Sequence, residues 1–349
     1  MPDVIVAVDP LRRFVMDLFA ALGLPPDDAE VQARCLLEAH FRGFDTHGVG
    51  CIPSYAECLE QGRIKAKPQI RVERRMPWVA LVDGDNGMGH VVASRAMAAA
   101  LEAVEEIGIG AAAVRRSNHF GAACVYPVMA LDRDCIGIAM GNAAPNVAPW
   151  GARQGLLGTN PLAVAVPAGR NPPFVMDLAT STAARRKIRE AMEQGRPIPE
   201  GWAMGRDGRP TTDAKAAIEG VALPFGGAKG SAISMLVDIL AGVLPGAEFA
   251  GGVVSFVNAI GREAGCGAFF LAFKVEAFMA LGEFKARMDT LIDRVHALEP
   301  ATGFDAVRVP GERGASLAAA RRQNGIPLAP GVIAKLSRLG AEHGVAFPA

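Results

Sequence analysis

The sequence predicts a mixed α/β protein, helical at both ends, and two observations carry that expectation. Apolar residues recur at helical spacing through the first 62 residues and again near the end of the chain. From Trp78 onward, short runs of small or β-branched residues alternate with alanine-rich helical segments and glycine turns.

Residues 10 to 43 read as two helices. Pro25 and Pro26 open the second, and Asp27 and Asp28 follow where acidic side chains favour the positive end of the helix dipole. Val31, Cys35 and Ala39 then fall at i, i+4 and i+8, a buried stripe. Pro53 to Gln61 forms a short helix closed by Gly62. Val79 to Gly84 reads as a strand ending in a turn, and Val91 to Glu106 as a helix. Ile109 to Val114, Ile136 to Met140 and Leu162 to Val166 suit strands buried on both faces. Arg185 to Gln194 is a polar helix. Gly195 to Ala214, dense in Pro, Gly and charge, is an exposed excursion anchored by Trp202. Ser231 to Leu244 is a helix, Gly267 to Lys274 a strand, and Met288 to Leu298 and Pro330 to Glu342 are the last helices.

Lys+Arg and Asp+Glu both number 36, so no net charge steers the chain toward nucleic acid or an anionic membrane. The six cysteines form no Cys-x-x-Cys pair and read as reduced thiols of a cytoplasmic protein. The start, Met1-Pro2-Asp3-Val4, lacks the basic and apolar run of a secretion signal. The longest apolar stretch, Ile233 to Leu244, is broken by Ser234 and Asp238 and is too short for a membrane span.

Several segments could carry chemistry. His47 lies in Gly43-Phe44-Asp45-Thr46-His47-Gly48, just after a helix, with Thr46 and Asp45 near enough in sequence to orient or polarise its ring. It is either a proton-transfer site or a histidine in a polar turn. Ser117-Asn118-His119-Phe120-Gly121-Ala122 follows a strand, where ligands commonly bind in α/β sheets. His119 is a second proton donor, a cofactor contact or a satisfied turn residue. Gly158-Thr159-Asn160-Pro161 leads into a strand, and Asp177 at the end of another could accept hydrogen bonds from a ribose or from a main-chain turn. Arg185-Arg186-Lys187 is a solvated helix face or a grip for a substrate carboxylate. Phe225-Gly226-Gly227-Ala228-Lys229-Gly230 is a glycine-rich turn before a helix, suited to an anion. It does not fit the P-loop pattern. Gly108-Ile109-Gly110-Ala111-Ala112-Ala113 matches G-x-G-x-x-A but enters a strand from a helix, the reverse of the dinucleotide fingerprint. No H-E-x-x-H or paired-Cys signature points to a metal.

Taken in order, Arg42 to Gly48, Asn118 to Gly121, Gly158 to Pro161, Asp177 to Ser181, Gly201-Trp202-Ala203, Pro210 to Asp213 and Lys229-Gly230 resemble the malate/L-lactate dehydrogenase family, which is unrelated to the Rossmann-type dehydrogenases. The resemblance runs from about residue 10 to about residue 325. It implies a non-Rossmann NAD(P)-binding mixed sheet with a helical domain built from both chain ends, residues 1–75 and 300–349. The cofactor and substrate region would be 76–299, with a small excursion near 185–225. It also implies a homodimer and reversible hydride transfer between NAD or NADP and a small 2-oxo or 2-hydroxy acid, or a cyclic 2-imino acid.

By that resemblance His47 is the proton donor, Thr46 sits in a relay, and His119 is either a cofactor contact or the acid/base. His119, Phe120, Gly121 and Ala122 would line the cofactor, as would Asp177, Leu178, Ala179 and Lys229. A loop of Pro310, Gly311, Glu312 and Arg313 would close over it. Thr159 would touch substrate. Two departures bear on the substrate. Cys51 stands where many members have a carboxylate-binding arginine, and Arg185-Arg186 replaces an Arg-Gly pair. Arg186 could supply the missing charge from the opposite wall. The alternative is a non-catalytic dinucleotide-binding relative that has lost substrate binding at Cys51.

Overall fold

The computed structural model describes residues 2–348. The amino-terminal stretch supplies β1 (Val4–Val6), α1 (Val8–Ala21), α2 (Pro26–Phe41) and α3 (Ile52–Glu60). β2 (Arg71–Met76) and β3 (Val79–Asp83) lead into α4 (Gly89–Ile107) and β4 (Ile109–Ser117), then β5 (Cys135–Gly141), β6 (Leu162–Val166) and β7 (Phe174–Leu178). A side excursion holds α5 (Arg185–Glu193), β8 (Ala203–Met204), β9 (Pro210–Thr211), α6 (Ala214–Glu219) and β10 (Val221–Ala222). α7 (Ala228–Asp238), continued by a π-helical turn over Ile239–Val243, precedes β11 (Cys266–Lys274) and α8 (Leu281–His296). α9 (Glu312–Asn324), β12 (Ile326–Leu328) and α10 (Pro330–Glu342) end the chain.

The two ends build one helical layer. Leu11, Phe14, Val15, Leu18 and Phe19 line one face of α1 at three- and four-residue spacing, and they share a core with Leu36, Tyr55, Ala318, Ile326 and Leu336. β1 and β12 tie the layer together as an antiparallel pair. Sequence reading missed both strands. It also missed α9, whose first turn contains Glu312 and Arg313, so only Pro310 and Gly311 form the expected loop. α9 buries Ala318 alone, and that leaves no apolar stripe to read.

The central sheet has seven strands in the order β2-β3-β4-β11-β5-β6-β7. Only β3 and β4 run parallel; the other neighbours are antiparallel. A parallel pair needs a crossover, which α4 provides. Gly108 ends α4 in the left-handed conformation (φ 85°), and a Cβ on Gly110 would lie 1.9 Å from the Ala100 carbonyl oxygen. Both glycines therefore serve helix termination and close helix–strand packing, not a nucleotide. β4 is buried through most of its length, whereas β5 and β6 alternate buried with partly covered residues, so burial on both faces holds only for the first. The expected boundary after residue 75 falls within β2, whose six residues are all exposed.

The excursion expected to be exposed with Trp202 as its one anchor carries its own small core, where Ile188, Ile198, Ala203 and Ala217 pack with half-buried Trp202. Among the described residues all six cysteines are free, and every one but Cys51 is buried. No helix there is long and apolar enough to cross a membrane.

Candidate active site

His47 closes a single 3-10 turn, Asp45–His47, between α2 and α3. The Thr46 hydroxyl lies 2.8 Å from His47 Nδ1, which leaves the other ring nitrogen, Nε2, uncommitted among the described residues. Asp45 does not orient the His47 ring, one of the roles its place in the sequence suggested. Its carboxylate accepts from the Arg321 guanidinium at 2.6 Å and lies 3.4 Å from His40 Nε2. His40 is buried, and its Nδ1 accepts the Val49 N–H at 3.3 Å, so the Nε2 proton points to Asp45. A Cβ on Gly48 would stand 2.1 Å from His40 Nδ1, so only glycine fits over that ring. The turn is thus fastened from below by His40 and from the carboxy-terminal α9 by Arg321.

His119 comes from the far end of β4 and lands opposite. Its loop is anchored by Asn118, whose amide donates to the Asn86 side chain at 2.9 Å and to the Gly87 carbonyl at 2.9 Å. The His47 and His119 rings stack with centroids 5.7 Å apart. On its other flank His119 stacks on Phe256 at 5.2 Å, and its Nδ1 is 2.6 Å from the Tyr55 hydroxyl. Burial, with the His47 charge added, pushes His119 down to about 3, so the ring is neutral at physiological pH. His47 is also lowered by burial, and secondarily by the Arg186 charge. A third histidine, His90, is fully buried edge-on to Tyr55 at 5.4 Å, with neither ring nitrogen hydrogen-bonded. Burial holds it well below its ordinary pKa.

The remaining predicted residues fall into two groups around the end of β7. Asp177 accepts the Cys124 N–H at 2.9 Å, the main-chain role foreseen as one of its two options, and burial raises its pKa. Phe120 and Ala122 are buried behind His119, and Gly121 turns with φ +74° against His90. Asp177 and Leu178 floor a cleft of about 600 Å³ that also touches Pro310, Gly311 and Arg313. Glu312 turns away from it and pairs with His296. The other group lies just beyond: the Thr159 carbonyl accepts from Thr180 N at 2.8 Å, and Thr180 O accepts from Phe225 N at 3.1 Å. The Gly226-Gly227 turn and exposed Lys229 are thereby brought beside the Ala179 end of the strand.

The two arginines expected to meet substrate diverge. Arg185 donates to the Ile218 carbonyl at 2.6 Å and serves the excursion. Arg186 pairs with Glu190 at 2.8 Å on an exposed helix face, yet its charge reaches both His47 and Cys51. Cys51 donates to the Thr46 carbonyl at 3.0 Å, and its thiol is pushed up to about 11, so it stays neutral.

Sequence reasoning missed Tyr55, Phe256, His40 and Arg321. Tyr55 carried one usable signal, since it sits eight residues after His47 on the helix that follows the turn. Phe256 and Arg321 carried none, because they reach the site only through the fold.

Residues 6–337 match the protein family described as malate/L-lactate dehydrogenase. The chain is 39% identical over 303 residues to the L-sulfolactate dehydrogenase of Methanocaldococcus jannaschii, spanning 86% of each chain. A solved sulfolactate dehydrogenase from that organism superposes with a TM-score of 0.92 at 36% identity, covering 99% of this chain and 98% of the other. The (2R)-3-sulfolactate dehydrogenase (NADP(+)) of Chromohalobacter salexigens is 37% identical over 307 residues, covering 87% of this chain and 88% of its own length.

Proposed function

We propose that this chain, which belongs to the malate/L-lactate dehydrogenase family, transfers a hydride to or from a small 2-oxo or 2-hydroxy acid, or a cyclic 2-imino acid, with His47 as the proton donor and acceptor. That the chain is a dehydrogenase follows from the family; the substrate class and the residue roles are our reading. One observation carries it. Of two histidines stacked 5.7 Å apart, burial drives His119 down to about 3 and keeps it neutral, which leaves the proton-transfer role to His47, held at Nδ1 by the Thr46 hydroxyl.

The residues at the end of β7 fit a dinucleotide. The cleft over Asp177 and Leu178 pairs an apolar wall with cations, and the Gly226-Gly227 turn opens α7 without a side-chain cap. Bound there, a nicotinamide cofactor supplies or accepts the hydride. The chain's own residues do the rest. The Thr46 hydroxyl holds His47 Nδ1 and fixes Nε2 toward the substrate. Tyr55, whose phenol burial pushes well above its ordinary pKa, keeps its proton and orients neutral His119 as a wall of the pocket. Phe256 helps exclude water from that wall. Thr159 contributes a hydroxyl to the substrate. Arg186 grips the substrate carboxylate, a task that neutral Cys51 cannot perform.

NADH and NADPH oxidation against a panel of 2-oxo acids and cyclic imino acids tests the reading. Arg186→Ala should raise KM for the active member sharply with little change in kcat; an unchanged KM removes Arg186 from the site. The exposed apolar run Met235, Leu236, Ile239, Val243 and Leu244 along α7 and its π-helical turn supports a homodimer, which light scattering on the purified protein checks.

A further inference from the structure

We propose that the cleft of about 600 Å³ beside β7 binds the 2′-phosphate of an adenosine ribose, so that the protein takes NADP(H) in preference to NAD(H). This rests on the dehydrogenase reading above and adds a choice of cofactor to it. The cleft combines the apolar side chains of Phe44, Leu178 and Leu317, against which a purine can lie, with the cations Arg42, Lys187 and Arg313. Arg42 has its Nε committed to Glu38 at 2.6 Å. Lys187 and Arg313 are exposed, and neither has an ion-pair partner among the described residues. α9, thirteen residues long, begins at this point with Gly311 in the left-handed conformation and no side-chain cap, so its first amides add donors beside Arg313.

A site for an unphosphorylated ribose offers a free carboxylate to the 2′-hydroxyl, whereas a 2′-phosphate calls for arginine. The carboxylate that lines this cleft is Asp177. It is already committed to the Cys124 N–H at 2.9 Å, so that oxygen is not free for a ribose hydroxyl. The pyrophosphate has separate provision: the Gly226-Gly227 turn with Lys229 is tied to Thr180, two residues beyond Leu178, through the Phe225 N–H at 3.1 Å. Two groups of anion donors therefore flank one strand end. A dinucleotide with only a pyrophosphate uses one of them, and its 2′-phosphorylated form uses both.

The test is direct binding without substrate, by calorimetry, using NADPH, NADH, 2′,5′-ADP and 5′-AMP. The expected result is NADPH binding roughly ten-fold or more tighter than NADH, with the same order for the two fragments. The double substitution Lys187→Ala/Arg313→Ala should cut NADPH affinity roughly ten-fold or more and shift NADH affinity far less. Both are surface side chains, and a thermal melt confirms that the variant is folded. Equal affinity for the two cofactors overturns the proposal, as does equal weakening of both in the variant, which would assign the cations to the pyrophosphate. Binding of neither cofactor overturns the dinucleotide site itself, a different failure from a lack of preference.

Discussion

His47 and His119 face each other across 5.7 Å, yet the regions that deliver them are built differently. His47 rides on a short turn fastened by polar groups: His40 below, Asp45 beside it and Arg321 from the opposite end of the chain. His119 is set into an aromatic wall of Tyr55 and Phe256 at the end of a sheet strand. The polar fastening holds the first ring by its Thr46 hydroxyl contact, and burial lowers its pKa. The apolar wall strips water from the second and keeps it neutral. The same residue type thus sits in two environments, and under the proposed mechanism that difference divides their roles.

Breaking the His47 side has the largest expected effect. His47→Ala should lower kcat by ~10²–10⁴-fold while cofactor binding, followed by calorimetry, persists. A comparable loss in His119→Ala with His47→Ala near wild type would reverse the roles. Next comes Gly48→Ala, where the added Cβ meets His40 Nδ1 at 2.1 Å. We expect the turn to shift, at about 1–3 kcal/mol of stability by denaturant melt and roughly a hundred-fold in kcat. The aromatic side is probed by Tyr55→Phe, which removes the hydrogen-bond partner of half-buried His119 Nδ1 and should cost about 1–3 kcal/mol.

The smallest effect sharpens the electrostatics. Reduction needs His47 protonated, so its rate should fall as pH rises through a pKa lying below the ordinary 6.5. Arg186→Ala removes the secondary cause of that depression, so the falling limb should move to higher pH yet stay below 6.5, because burial remains the larger cause. A limb that does not move would place Arg186 too far from His47 to act on it.

Much of the scaffold was legible along the chain. β6 and α10 run over the residues their patterns indicated, Leu162–Val166 and Pro330–Glu342, because each has a clean local signal. α8 begins at Leu281, seven residues before the expected Met288, because only Asp289 and Ile292 are buried along it. β2 was invisible for a similar reason: Arg71–Met76 is an edge strand exposed throughout, so its composition shows no alternation. β1 and β12 are three residues each and depend on a partner at the other end of the chain.

By itself the sequence determined which chemical groups are present and in what order: the Thr46-His47 turn, the His119 loop, the Thr159 turn, the Asp177 strand end and the glycine turn before Lys229. Those are local patterns, readable because backbone turns and caps are set by neighbouring residues. The tertiary structure alone decided that Asp45 serves Arg321 and not His47, that Arg185 and Arg186 part company, and that His119 is buried beside His47 and stays neutral. A pKa depends on water excluded and on charges within a few ångströms, and for His47 and His119 those neighbours come from α3, α5 and a loop at Phe256, far apart in sequence.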